Sequence, residues 1–193
     1  MQRCGWVSED PLYIAYHDKE WGVPETDRRY LFEMICLEGQ QAGLSWITVL
    51  KKRENYRQAF HHFDPEKVAE MTEDDVERLV QDAGIIRHRG KIQAIIGNAR
   101  ALLAMEANGE AFSDFIWSFV GHQPQLTQAT TLAEVPASTP TSDALSKALK
   151  KRGFKFVGTT ICYAFMQASG MVNDHVTSCF CYSGGQHDPR MAE

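Results

Sequence analysis

Apolar residues recur at three- and four-residue intervals along most of the chain, a period that predicts an almost entirely helical protein. Leu31, Met34 and Ile35 share one helical face, and Asp27 is placed to cap or begin that helix. A second helix is expected from Leu44 to Phe60, with Ile47 and Leu50 among its apolar positions. Thr72 and Asp75 form a capping box ahead of Val76, Leu79, Val80 and Ala83. After the segment GIIRHRG, the positions Ile92, Ile95, Ile96, Ala99, Leu102 and Leu103 keep a strong helical period up to Asn108-Gly109. A short element is expected from Phe112 to Val120, and residues 122–142, rich in Thr, Pro, Gln and Ala, read as an extended connection. Two further helices run from Ser142 to Arg152, stopping at Gly153, and from about Thr159 to Ser169, stopping at Gly170. No strand pair and no internal repeat is visible, so the expected fold class is all-α. Residues 1–182 are expected to form a single domain of two closely packed lobes, and 183–193 a disordered tail.

One residue breaks the pattern. Glu38 lies four after Met34 and seven after Leu31, on the face that the core otherwise uses. A carboxylate there must find donors or take up a proton, because isolated buried charge is costly. The run EGQQAGLSW then places small residues and Trp46 just after it, and Tyr13 and Tyr16 come from the aromatic-rich beginning. An aromatic slot with one acceptor suits a nucleobase, held by stacking and read at its edge. The plainer alternative is a carboxylate that caps a helix or pairs with an arginine inside an aromatic core.

A chain of 193 residues, 44% hydrophobic, can bury a real core. Its start, MQRCGWVSEDPLY, has no signal-peptide stretch, and no run approaches the ~20 apolar residues that span a bilayer. A cytoplasmic protein is expected, and there the five cysteines stay reduced, which favours metal ligation or burial over disulfides. Cys4 and His17 at one end, with His175 and Cys179 at the other, are the residue types that close a tetrahedral zinc site. On a helix, His175 and Cys179 would share one face. Such a site would join the two ends of the chain, so the expected zinc is structural, one per chain. Cys181 is an alternative to Cys179, and His187 is another nearby donor.

A net charge of −5 argues against a generally basic nucleic-acid binder, but the charges are polarised. Lys and Arg gather in 51–57, 87–100 and 147–155, and no acid occurs between Gly84 and Arg100. The segment LVQDAGIIRHRGKIQAIIGNAR reads as a helix-hairpin-helix, about 72–104, of the kind that grips a DNA backbone without reading sequence. Gly84 can take a positive φ cheaply, and Gly90 lets a backbone approach closely. The turn amides would bind phosphate with help from Arg87, Arg89 and Lys91.

Taken together, RCGWV, DPLYIAYHDKEWGVP, LFEMICLEGQQAGLSWITVLKKRENYR, DAGIIRHRGKIQAIIGNA, KRGFKFVGTTICYAFMQASG and VNDHV resemble the 3-methyladenine DNA glycosylase I family, from about Arg3 to Cys181. The resemblance implies a helix-hairpin-helix DNA glycosylase with a zinc site joining its termini, held by Cys4, His17, His175 and Cys179. It implies Glu38, Tyr13, Tyr16 and Trp46 in the base pocket. The implied reaction is hydrolysis of the bond between deoxyribose and 3-methyladenine in double-stranded DNA, with the free base and an abasic site as products. Methylation at N3 makes the base cationic, so it departs neutral without a strong general acid. Nothing compels Asp114 into the role of the aspartate used by other glycosylases of the superfamily. Leu44 or its neighbours are expected to supply an apolar wedge that fills the gap left in the duplex. A monomer is expected. Two other readings are a non-catalytic, zinc-stabilised DNA-binding protein and a bifunctional glycosylase-lyase in which Lys91 attacks the sugar.

Overall fold

The structure, a computed structural model, describes residues 1–182. The tail expected at 183–193, with His187, lies outside the described residues. Aspartates start the first two helices. In α1 (Pro11–Lys19) the Asp10 carboxylate accepts from the Leu12 amide and Pro11 sets the first turn; in α2 (Arg28–Gln40) Asp27 accepts from the Tyr30 amide. The single helix expected from Leu44 to Phe60 is two, α3 (Trp46–Leu50) and α4 (Arg53–Ala59). Leu44 and Ser45 stay outside because Gly43 turns the chain at φ +79 and Ser45 is extended.

Next come α5 (Pro65–Ala69) and α6 (Glu73–Leu79), the latter with the expected capping box of Thr72 and Asp75. The longest helix, α7 (Arg89–Ala107), starts at His88, whose Nδ1 accepts from the Lys91 amide, and ends ahead of Gly109 at φ +86. The remaining helices are α8 (Phe112–Ser118), α9 (Pro140–Lys151) and α10 (Thr159–Ala168). One expectation fails here. A strand pair exists, β1 (Gln125–Leu126) running parallel to β2 (Val172–Asn173). Two residues per strand are too few for an alternating pattern to show in sequence. The protein is nonetheless mostly helical.

Helix α2 is the centre of the molecule. It is buried from Leu31 through Gln40 and packs against both α7 and α10. A helix enclosed on every side has no polar face, so its two glutamates are carried inside. Glu33 is neutralised by Arg57, which donates from Nε at 2.5 Å and from the guanidinium end at 2.9 Å. Glu38 has no such partner. Gly39 is needed beside it, since a Cβ there would stand 3.1 Å from the Phe156 carbonyl oxygen in the turn between α9 and α10. That turn is pinned to α7 by Asn98, which donates to the Lys155 carbonyl and accepts from the Lys155 amide.

Candidate functional site

A cavity of about 200 Å³ opens beside the C-terminal half of α2. The four residues expected in a base pocket, Tyr13, Tyr16, Glu38 and Trp46, all line it. Tyr13 and Tyr16 come from α1, Glu38 from α2 and Trp46 from the start of α3. The Tyr16 and Trp46 rings lie 5.5 Å apart, and Trp6 meets Tyr13 edge-on at 5.0 Å. Glu38 is 3% exposed, no described group donates a hydrogen bond to its carboxyl, and burial pushes that carboxyl up to about 8. Burial also raises the Tyr13 and Tyr16 phenols, and the nearby Glu38 raises them further. The indole Nε1 of Trp46 is buried and has no acceptor among the described residues. An acceptor without donors and a flat aromatic wall can hold a planar, cationic, donor-bearing ring.

Other lining residues carried no signal in the sequence. Trp6 and Trp21 complete the aromatic wall, meeting each other edge-on at 5.1 Å. Gln41 follows Glu38 at the end of α2. Leu132 and Val135 arrive from the stretch expected to be a plain connection, and Ala164 and Gln167 from the inner face of α10. The Gln167 amide donates to Asp174, which also accepts from the Tyr163 hydroxyl at 2.5 Å. Only the helical period of α10 could have pointed to Gln167.

Cys4, His17, His175 and Cys179 are all buried, with their ligand atoms within 4.8 Å of one another, a group that could hold a metal ion. His175 and Cys179 are not on the helix that would have set them on one face; they lie in the turn after β2. The Asn173 side chain folds that turn by accepting from the His175 amide. His175 Nδ1 lies 3.5 Å from the sulfurs of both Cys4 and Cys179, and His17 Nε2 lies 3.5 Å from Cys179. The outer ring nitrogens are spoken for: His175 Nε2 donates to the Trp21 carbonyl and His17 Nδ1 to Asp18, which Arg3 holds from the other side. Both histidines thus turn a lone pair toward the sulfurs. The Cys4 thiol is pushed well up, first by its hydrogen bond to Cys179 and then by burial. Cys181 is buried beside the group, and its amide donates to the Cys179 sulfur.

The expected hairpin at 72–104 departs from its description. Residues 80–88 separate α6 from α7, a longer connection than a tight hairpin turn. Neither Gly84 nor Gly90 has a positive φ. The Gly84 amide donates to Asp82, the Ile86 amide to the Tyr56 hydroxyl and the Lys91 amide to His88, so these three donors of the segment are used internally. Arg89 pairs with Glu77 at 2.5 Å, and Arg87 is exposed. Lys91, expected on the DNA side, is 5% exposed with its ammonium on the Gln40 and Ala42 carbonyls. Leu44, by contrast, is 42% exposed. Asp114 is exposed near His122, away from the cavity.

The sequence model of the methyladenine glycosylase family matches residues 6–182. The chain is similar to DNA-3-methyladenine glycosylase 1 of Escherichia coli (strain K12), 81% identical over 186 residues that cover 96% of this chain and 100% of the relative. It is similar to a crystal structure of a 3-methyladenine DNA glycosylase I with a TM-score of 0.93 and 78% identity, covering 94% of this chain and 100% of the other. It also matches a structure that describes 3-methyladenine recognition by the Staphylococcus aureus enzyme, with a TM-score of 0.92, 40% identity and coverage of 97% and 98%.

Proposed function

The chain belongs to the methyladenine glycosylase family, and we infer from that membership that it is a monofunctional DNA-3-methyladenine glycosylase of base-excision repair. It flips out 3-methyladenine, hydrolyses the N-glycosidic bond, releases the free base and leaves an abasic site. The observation that carries its mechanism is Glu38, a buried carboxyl with no donor of its own in an aromatic cavity. The N3-methylated base brings both the positive charge and the amino hydrogens that such a carboxylate lacks. Tyr13, Tyr16 and Trp46 offer ring faces and edges, and Leu44 stands outside to fill the vacated place in the duplex. Because the cationic base leaves neutral, the reaction needs placement and charge complementarity more than a proton donor.

The metal we assign to Cys4, His17, His175 and Cys179 is one structural zinc ion. Thiolate and imidazole ligands at tetrahedral angles around zinc sit about 3.6 Å apart, S to N. The separations here are 3.5 Å. Zinc would supply cross-linking of the chain's two ends and no reaction step.

For the DNA backbone, the helix-hairpin-helix geometry fits α9 and α10 better than α6 and α7. Their turn spans residues 152–158, Gly153 sits at φ +94, and no side chain caps the first turn of α10 at Gly158. Lys147, Lys150, Lys151 and Lys155 are exposed around it, outweighing Asp143, which Thr159 binds. Since α10 also lines the cavity, a phosphate at its start and a base in the pocket lie along one helix. Double-stranded DNA is then the partner of a monomeric protein. The cytoplasm suits its five free, buried cysteines, and among the described residues no helix is long and apolar enough to cross a membrane.

Chromatography of bases freed from methylated DNA tests this reading: free 3-methyladenine is the expected product, with no adduct trapped by borohydride. A trapped adduct would restore the lyase reading, and tight binding without release would restore the non-catalytic one.

A further inference from the structure

The last turn of α2, the loop 41–45 and the start of α3 carry Glu38 and Gln41 in the cavity wall, exposed Leu44, and Trp46. The backbone carbonyls at the C-terminus of α2 are nearly all claimed. Gln41 donates to the Leu37 and Glu38 carbonyls, Ala42 to Gly39, and Leu44 to Gln41. The Gln40 and Ala42 carbonyls are left, and both go to Lys91 Nζ, at 2.9 and 2.6 Å. Lys91 sits in the first turn of α7, so a buried cation from another helix closes this C-terminus. A second thread runs alongside it. The Gln40 side chain donates to the Lys91 carbonyl and accepts from the Tyr56 hydroxyl, which in turn accepts from the Ile86 amide. Beyond Ala42 the loop has little other support, since Gly43 has open space around its Cβ position and Leu44 projects into solvent.

We propose that Lys91 is a positioning residue for base extrusion: its ammonium fixes the 40–44 loop so that Leu44 enters the duplex while Glu38 and Trp46 stay aligned on the extruded base. This rests on the glycosylase reading above. It gives Lys91 a task other than holding phosphate, in keeping with an ammonium turned inward onto the Gln40 and Ala42 carbonyls. Lys91 touches neither base nor sugar and acts through the loop. A cation is well suited to the task, because the three hydrogens of an ammonium can serve two diverging carbonyls at a helix end whose dipole favours positive charge.

Extrusion is needed from a duplex and hardly at all from a single strand, which separates this role from general stability. The test is single-turnover release of 3-methyladenine from matched duplex and single-stranded oligonucleotides by wild type, Lys91→Met and Lys91→Arg, with thermal unfolding measured for each. The rate with duplex is expected to fall about tenfold or more in Lys91→Met, as small misplacements of reacting groups do, and the rate with single strand by less than about threefold. Lys91→Arg, which keeps the cation and its donors, should recover much of the duplex rate. Should Lys91→Met not fold, Lys91→Gln keeps a donor while losing the charge and is read by the same ratio. A folded variant whose two rates fall by the same factor, or not at all, overturns the proposal. Absence of release by wild type from either substrate would instead overturn the glycosylase reading itself.

Discussion

Cys4 Sγ lies 3.5 Å from His175 Nδ1, across a separation of 171 residues. The pairing does more than close the chain, because the histidines of this group are also packing partners of the cavity wall. His17 meets Trp6 edge-on at 5.2 Å, and His175 meets Trp21 at 4.7 Å. A metal holding both rings would therefore fix two indoles of the base pocket.

Cys4→Ser is expected to lower zinc content below one ion per chain and to cost several kcal/mol of stability, as loss of a structural zinc ligand does. Base affinity should fall with it, through Trp6 and Trp21. Metal analysis, thermal melting and titration of free 3-methyladenine on folded protein check the three parts. Full zinc loading in the Cys4→Ser/Cys179→Ser double variant would remove the assignment.

Local signals account for what could be read from the chain. Asp27 before α2, the Thr72 and Asp75 box, and the glycines after α7 and α9 act within a few residues, and the structure has them where the pattern put them. Glu38 was legible because a charge on an apolar face is itself a signal. The charges of the expected hairpin show the converse. Arg87, Arg89 and Lys91 are a run of positive charge in sequence, yet Glu77 and the end of α2 claim two of them from a distance. Leu132 and Trp21 reach the cavity only through tertiary packing, which no periodicity in their own segments announces.

The two hairpins can be ranked by salt dependence. Replacing Lys151 and Lys155 with alanine should weaken binding to undamaged duplex. The slope of log K against log salt should shrink by up to about two, near 0.9 for each phosphate left without its lysine. Arg87→Ala/Arg89→Ala should change that slope less, since Arg89 is already paired with Glu77. The ranking of damaged bases should not move in either variant, because backbone contacts carry no base information. A steeper loss from the arginine pair would return the grip to α6 and α7.

Trp46 offers a test that separates ring from donor. Trp46→Ala should lose about 1–3 kcal/mol of base stacking. Trp46→Phe keeps a ring and removes an indole N–H that is buried without an acceptor among the described residues. Leaving such a group unsatisfied costs about 1–3 kcal/mol, so the phenylalanine variant should offset part of its lost packing and melt closer to wild type than the alanine variant. Melting temperature and release of 3-methyladenine, measured on all three proteins, decide it. Equal loss in both variants would mean that the indole itself is read.

Glu38 should govern the response to pH. Burial raises it from an ordinary 4.5 to about 8, so between those values the folded protein holds a proton that the unfolded chain has released. Its contribution therefore favours folding at low pH, declines as pH rises above 4.5 and is lost above about 8, a span of a few kcal/mol at 1.36 per pKa unit. Glu38→Gln removes that penalty and should melt above wild type at pH 8–9, as thermal scans across the range will show. Activity should run the other way. A cationic base is held by the ionised carboxylate, so kcat/KM is expected to climb with pH and level off near 8, where the free enzyme ionises. Glu38→Gln should lose the rising limb together with roughly 1.5–3 kcal/mol of recognition, the worth of charge-assisted hydrogen bonds. Binding to undamaged DNA should stay as it was, since the lysines proposed to hold phosphate lie outside the cavity. If folded Glu38→Gln keeps both the wild-type rate and the rising limb, another group reads the base.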